Sequence, residues 1–143
     1  MFFIYSGFAM TLKRQKAKLR NKFKKHKCEY IILVGSENGS TIPFANAFYK
    51  QLITTGKKVY ITELNKYETF KKVKHIIVFT ATYGEGEPPT NANAFLEQLK
   101  STEQLYPISF SVVGFGSYAY PDFCQFALDL DRGFKAKKAH QFL

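Results

Sequence analysis

The chain has no tryptophan, only two cysteines and only three histidines among its 143 residues. Cys28 and Cys124 stand far apart and match no metal-binding or redox spacing. A disulfide framework needs more cysteines, so their scarcity argues for a reducing, cytoplasmic setting. His26, His75 and His140 are scattered, and no Ser/His/Asp arrangement or paired carboxylates accompany them. That leaves no signal for nucleophilic hydrolysis or a metal centre, and the expectation is no catalytic residue and no metal ligand. No apolar run approaches the ~20 residues that cross a bilayer. The longest uncharged opening, residues 1–10, reads MFFIYSGFAM and is too short to span. A signal peptide carries its charge before its apolar stretch, and here the order is reversed.

Acidic residues are also few, eleven against twenty-one Lys and Arg, for a formal charge of +10. Residues 13–27 hold nine of those bases and no acid, which leaves the other residues at twelve bases against eleven acids, or +1. The basicity belongs to one segment. A nucleic-acid binder would mix its aromatics with its charges, and here the aromatics lie elsewhere. Apolar then basic resembles the cytoplasmic end of a membrane helix. Two readings of residues 1–27 stand: a membrane-proximal address at an anionic surface, or a basic leader outside the fold. The domain proper is then 28–143.

From Tyr30 onward, strands and helices alternate. Residues 30–34, 58–64, 76–79 and 108–113 read as four strands, rich in Val, Ile, Phe and Tyr. Residues 43–52, 67–73, 92–99 and 121–130 read as helices, the first with Phe44, Ala47, Phe48 and Leu52 on one face. Such alternation predicts an α/β fold with a doubly wound parallel sheet. Open sheets of this kind bind ligands at the carboxyl ends of their strands, and three loops there carry unusual chemistry.

The first loop, Ser36, Glu37, Asn38, Gly39, Ser40 and Thr41, crowds hydroxyls around a glycine just before a helix. Backbone N–H groups at a helix N-terminus suit a phosphate. No Walker lysine is present. Asn38, Gly39 and Ser40 also match a glycosylation sequon, an accidental one in a ligand loop. The second loop, residues 80–92, reads TATYGEGEPPTNA. Tyr83 offers a flat ring, Gly84 and Gly86 admit close approach of the backbone, and Glu85 and Glu87 add negative charge. The third, residues 114–124, reads GFGSYAYPDFC. Its opening fits a GxGxxA dinucleotide fingerprint, but it follows the fourth strand rather than the first and lacks the distal acid, so that reading fails.

Together, in this order, the loops resemble those of the FMN-binding, flavodoxin-like domains of diflavin reductases, the group that includes nitric oxide synthase reductase domains, sulfite reductase flavoproteins and microsomal cytochrome reductases. The likeness covers residues 30–131. It implies FMN as cofactor, its phosphate held by Ser36, Asn38, Gly39, Ser40 and Thr41 with Glu37 beside them. It places Tyr83 on one face of the isoalloxazine and Tyr120 on the other, with Ala81, Thr82, Gly84, Glu85, Gly86, Gly114, Phe115, Gly116, Ser117, Phe123 and Cys124 around the ring. The Gly84 carbonyl would accept a hydrogen bond from the reduced ring. The implied function is an electron carrier between an FAD/NADPH reductase module, separate or in a missing downstream segment, and an acceptor that the sequence does not name. The first loop departs from the family's form at Asn38, Thr41 and Ile42. The likeness also breaks after Asp131, where the family's fifth strand is expected, so the expectation is a sheet truncated before that strand, with one open edge and, as an alternative, a remnant with little affinity for FMN.

Overall fold

The structure, a computed structural model, describes the backbone of residues 2–5 and all of residues 18–69, 71–119 and 121–142. Six strands form one parallel sheet: β1 (Phe2–Tyr5), β2 (Tyr30–Gly35), β3 (Val59–Glu63), β4 (His75–Ala81), β5 (Ser109–Gly116) and β6 (His140–Gln141). The order across it is β1-β5-β4-β2-β3, and β6 also pairs with β5. Helices α1 (Ile42–Thr54), α2 (Phe95–Ser101) and α3 (Gln125–Ala136) complete the fold.

Apolar runs in the central strands suit a sheet buried on both faces. Along β2, Ile31 and Leu33 join Phe95, Leu99, Phe126, Leu130 and Phe134 from α2 and α3. The alternate residues Ile32 and Val34 join Ala45 and Tyr49 of α1 on the opposite face. The period of two along the strand thus assigns each side chain to a layer. Four fully buried phenylalanines, Phe95, Phe110, Phe126 and Phe134, dominate the first layer, each contributing ~1.5–3 kcal/mol through burial. Phe110 and Phe134 stack at 4.9 Å between ring centroids, which fastens α3 to β5.

The elements differ from the sequence reading in instructive places. The buried residues of α1 are Ala45 and Tyr49, while Ala47 is exposed and Phe44 is 37% exposed. Residues 67–69 and 71–73 are not helical; a short 3-10 turn, Leu64–Lys66, precedes them instead. Residues 114–116 extend β5 rather than starting a loop. Residues 121–124 form turns, and α3 starts only at Gln125 and runs on to Ala136.

The largest difference is at the sheet edges. The expected open edge beside the fourth strand of the domain is lined by two segments. His140 and Gln141 pair with Ser109 and Phe110, and Phe2, Phe3, Ile4 and Tyr5 pair with Val113, Gly114, Phe115 and Gly116. The sheet therefore does not stop before a fifth strand, and Phe2–Tyr5 is a strand rather than the end of a membrane helix. No helix among the described residues is long and apolar enough to cross a membrane. At the opposite edge, the Asn21 carboxamide donates to Ile61 O at 2.9 Å and accepts from Ile61 N–H at 2.7 Å. This side chain meets the outward main-chain groups of β3 as a neighbouring strand would. Lys22 N–H donates to the Tyr49 hydroxyl at 2.8 Å, and Lys25 pairs with Glu68. Residues 1–27 were expected to stand outside the fold; within them, Phe2–Tyr5, Asn21, Lys22 and Lys25 make contacts with it.

The Asn21 clamp generates a stability prediction. Two part-buried hydrogen bonds, each worth ~0.5–1.5 kcal/mol net, predict that Asn21→Ala lowers unfolding free energy by about 1–3 kcal/mol in urea denaturation. Asn21→Asp, which cannot donate to Ile61 O, is expected to be destabilised as well. A change within about 0.5 kcal/mol for both, the range of ordinary surface substitutions, would contradict the clamp.

Candidate functional site

The central strands pair with Gly35 opposite Thr80, Thr80 opposite Gly114 and Ala81 opposite Phe115, so β2, β4 and β5 end close together, at Gly35, Ala81 and Gly116. The three loops singled out by sequence emerge from these ends and meet on one rim.

The first loop joins β2 to α1. Thr41, 1% exposed, donates its hydroxyl to Gly35 O at 3.1 Å, and its N–H donates to Ser36 Oγ at 3.5 Å. These two buried hydroxyls brace the loop from within. Glu37 and Asn38 are exposed at its outer side, with Gly39 and Ser40 half-buried. Ile42 N–H donates to Gly39 O at 3.2 Å, which sets the entry into the 13-residue α1. A helix that starts beside a hydroxyl-rich turn is chemically suited to an anion.

The second loop folds back on itself. Tyr83 and Glu87 exchange both main-chain bonds, N–H to O at 2.8 and 2.7 Å. The tight return demands positive φ, +51° at Gly84 and +98° at Gly86, which glycine adopts without strain. Thr82 anchors the loop to its third-loop neighbours. Its N–H donates to Phe115 O at 3.1 Å, and its hydroxyl accepts from Phe126 N–H at 3.1 Å. The half-buried Tyr83 packs against the α1-side core and accepts a bond from Glu37 N–H at 3.2 Å on its phenolic oxygen. The ring thus lies beside the first loop. Glu85 is exposed.

The third loop starts at the end of β5. A Cβ on Gly114 would come within 2.8 Å of Ala127 Cβ, and one on Gly116 within 3.0 Å of Cys124 Sγ. These glycines let the start of α3 sit directly on the strand. Cys124 is fully buried in left-handed backbone, φ 54°, and burial pushes its thiol up to about 11. Phe115, 2% exposed, turns its ring into the core against Phe44 and Phe79. Ser117 is half-buried and accepts from Ala119 N–H at 3.2 Å. Tyr118 is 71% exposed and stacks on Phe123 at 4.2 Å. Tyr120 lies outside the described residues.

Loop composition alone did not point to the groups that tie the rim together. The Glu37 carboxylate accepts from both Thr90 N–H and Thr90 hydroxyl at 2.6 Å. Asn91 Oδ1 accepts from Ser36 N–H at 2.9 Å. Behind them, Asn65 donates to Thr90 O at 3.0 Å and to Asn93 Oδ1 at 2.9 Å, and accepts from Ala94 N–H at 2.9 Å. The helix expected over residues 92–99 begins only at Phe95, and Thr90 and Asn91 before it clamp the first loop. Three polar residues in a row, Thr90, Asn91 and Asn93 around one alanine, were the available signal.

The flavodoxin family model matches residues 32–143, and the chain belongs to that family. It is 32% identical over 120 residues to NADPH oxidoreductase A of Dictyostelium discoideum, covering 80% of this chain and 19% of that protein. It is 33% identical over 108 residues to the sulfite reductase [NADPH] flavoprotein alpha-component of Bacillus subtilis, covering 73% of this chain and 18% of that protein. The chain thus spans about a fifth of the length of these relatives. Among solved structures it resembles oxidised flavodoxin 2 of Bacillus cereus, with a TM-score of 0.73 at 22% identity over 81% of this chain and 80% of that one. Flavodoxin 1 of the same organism gives 0.71 at 19% identity, over 80% and 79%. The cofactor of the flavodoxin family is FMN. The hydroxyl-lined start of α1 and the half-buried Tyr83 ring beside it suit a phosphate joined to a flat ring.

The Glu37–Thr90 contact has a titration signature. The Thr90 hydroxyl, and then its N–H, hold the Glu37 carboxyl below the usual carboxylate range, against a small opposing effect of desolvation. A carboxyl depressed by folding stabilises the fold above its unfolded value and loses that contribution as pH falls through the folded one. NMR titration is expected to find Glu37 below the ordinary glutamate range, and Thr90→Val is expected to move it upward. An ordinary value in the parent protein would contradict the clamp.

Proposed function

We propose that this domain carries electrons through bound FMN from a reductase module to a separate acceptor. The observation behind this reading is that the three loops leave the sheet on one rim, the first two hydrogen-bonded to each other through Glu37, Tyr83 and Thr90, and the second tied through Thr82 to β5 and α3, which flank the third. Bound FMN supplies the redox chemistry, and the protein supplies binding and electrostatics. The amides and hydroxyls at Asn38, Gly39 and Ser40 take the phosphate, while Ser36 and Thr41 brace that loop. Tyr83 lies against one face of the ring and Tyr120 against the other. The main chain at residues 84–86 and 114–117 lines the ring edge. Phe115 and Cys124, with their side chains in the core, act through the backbone. Glu85 and Glu87 keep negative charge beside the ring, which disfavours adding further charge to it. The relatives are reductase flavoproteins by name, which supports a reductase as the donor. The rival reading is a truncated remnant with little affinity for FMN, and flavin titration separates the two.

A second reading concerns the basic segment. Lys18, Arg20, Lys22, Lys24 and Lys27 are exposed, and each base near an anionic bilayer adds ~1 kcal/mol of attraction. On this reading the segment holds the domain at an anionic membrane face. Sedimentation with anionic liposomes at low salt, lost when salt screens the charges, is the expected result. Equal recovery with neutral and anionic liposomes would contradict it.

Flavin titration tests the main reading. FMN is expected to bind with quenched flavin fluorescence. Charge-assisted bonds to phosphate are worth ~1.5–3 kcal/mol each, so riboflavin is expected to bind at least about tenfold more weakly. Tyr83→Ala is expected to weaken FMN binding more than Tyr118→Ala, because Tyr118 leans on Phe123. Equal affinities for the two flavins would overturn the phosphate assignment.

A further inference from the structure

We infer that the N-terminal strand is a positioning element of the flavin site, supplied from the opposite end of the chain to the one expected. The inference rests on the FMN reading above. β1 pairs in parallel with residues 113–116, Tyr5 opposite Gly116 and Ile4 opposite Phe115. Those are the last residues before the third loop. The same stretch is constrained on its other side by β4, Thr80 opposite Gly114 and Ala81 opposite Phe115. Its Phe115 carbonyl accepts from Thr82 N–H, at the root of the Tyr83 loop.

β6 cannot do this work. It pairs only with Ser109 and Phe110, and Phe142 N–H adds one bond to Phe110 O at 2.9 Å. The two edge segments lie end to end along β5: Gln141 is opposite Phe110, and Phe2 is opposite Val113. The outer side of β5 at its carboxyl end is therefore covered by Phe2–Tyr5. Without it, the backbone groups at the root of the third loop would face water. A strand held on one side only is freer to twist and fray. Parallel pairing of this kind is also the geometry by which extended peptides add to a sheet edge, so β1 is expected to act in trans.

The effect should be confined to the ring side of the site. The phosphate loop leaves β2, which lies between β3 and β4 and does not touch β1. Loss of β1 should therefore weaken FMN and riboflavin together and leave their ratio unchanged.

The experiment compares the full chain with a variant lacking residues 1–5 and with Phe3→Pro/Ile4→Pro, which removes two backbone donors from the strand. FMN and riboflavin affinities are measured alongside amide exchange of Gly114, Phe115 and Gly116 in the flavin-free protein. Both variants are expected to lose at least about tenfold in affinity for both flavins, at constant ratio, with faster exchange at the three amides. A synthetic peptide of residues 1–8 is expected to restore affinity to the deleted protein. Unchanged affinity in both variants would overturn the inference, as would a collapse of the FMN-to-riboflavin ratio, which places the effect at the phosphate loop; because unfolding lowers both affinities by the same factor, variants found largely unfolded by circular dichroism under the binding conditions would also overturn it. If the full chain itself binds no FMN, the FMN reading fails, and unchanged exchange at the three amides would separately refute the strand.

Discussion

The register of the parallel strands is the constraint on which the rest depends. Gly35, Thr80 and Gly114 sit side by side across β2, β4 and β5, so the chain leaves the sheet three times within two residues of one line. Shifting one strand by a residue would turn its side chains to the opposite layer. Ile31 and Leu33 face α2 and α3, and Ile32 and Val34 face α1, so such a slip would bury each set against the wrong partners. The apolar core therefore fixes where the loops begin. The contact between strands is close as well: a Cβ on Gly35 would fall 2.2 Å from Thr80 Oγ1.

Given that rim, the loops are shaped mainly by hydrogen bonds to each other. The second loop is bound to the first through Tyr83 and Glu37, and to the start of α3 through Thr82 and Phe126. Asn65, just past β3, supports residues 90–94 from behind. A substitution in one loop is therefore expected to be felt in the others, and the unit of function is the rim rather than any one motif. The N-terminal segment acts on the same object from further away. Its strand lies along β5 and its Asn21 lies along β3, so one arm meets both edges of the sheet.

The strands and the three loops were legible because their signals are local. Runs such as Ile31, Ile32, Leu33 and Val34 state a buried strand, and YGEGEPP, residues 83–89, announces a turn. What was misread depends on partners distant in sequence. Phe2–Tyr5 is apolar and precedes a basic run, which locally resembles a membrane-proximal segment; only its pairing with β5, more than a hundred residues away, makes it a strand. Gly114, Phe115 and Gly116 look like a loop because glycine is a loop residue, yet here glycine makes room for Cys124 and Ala127. Thr90 and Asn91 sat at the edge of the helix expected over residues 92–99, with no local sign of a partner; their amide and hydroxyl groups reach Ser36 and Glu37, more than fifty residues away.

The central claim is that one rim, built from three loops, holds the flavin. An amide NMR map of the full chain with and without FMN tests it most directly. The account predicts shift changes concentrated at residues 36–41, 81–87 and 114–119, with the opposite end of the sheet, around Tyr30, His75 and Ser109, unmoved. Changes centred instead on the cleft of about 470 Å³ between Leu19, Asn21 and Tyr60, or no changes at saturating FMN, would contradict it.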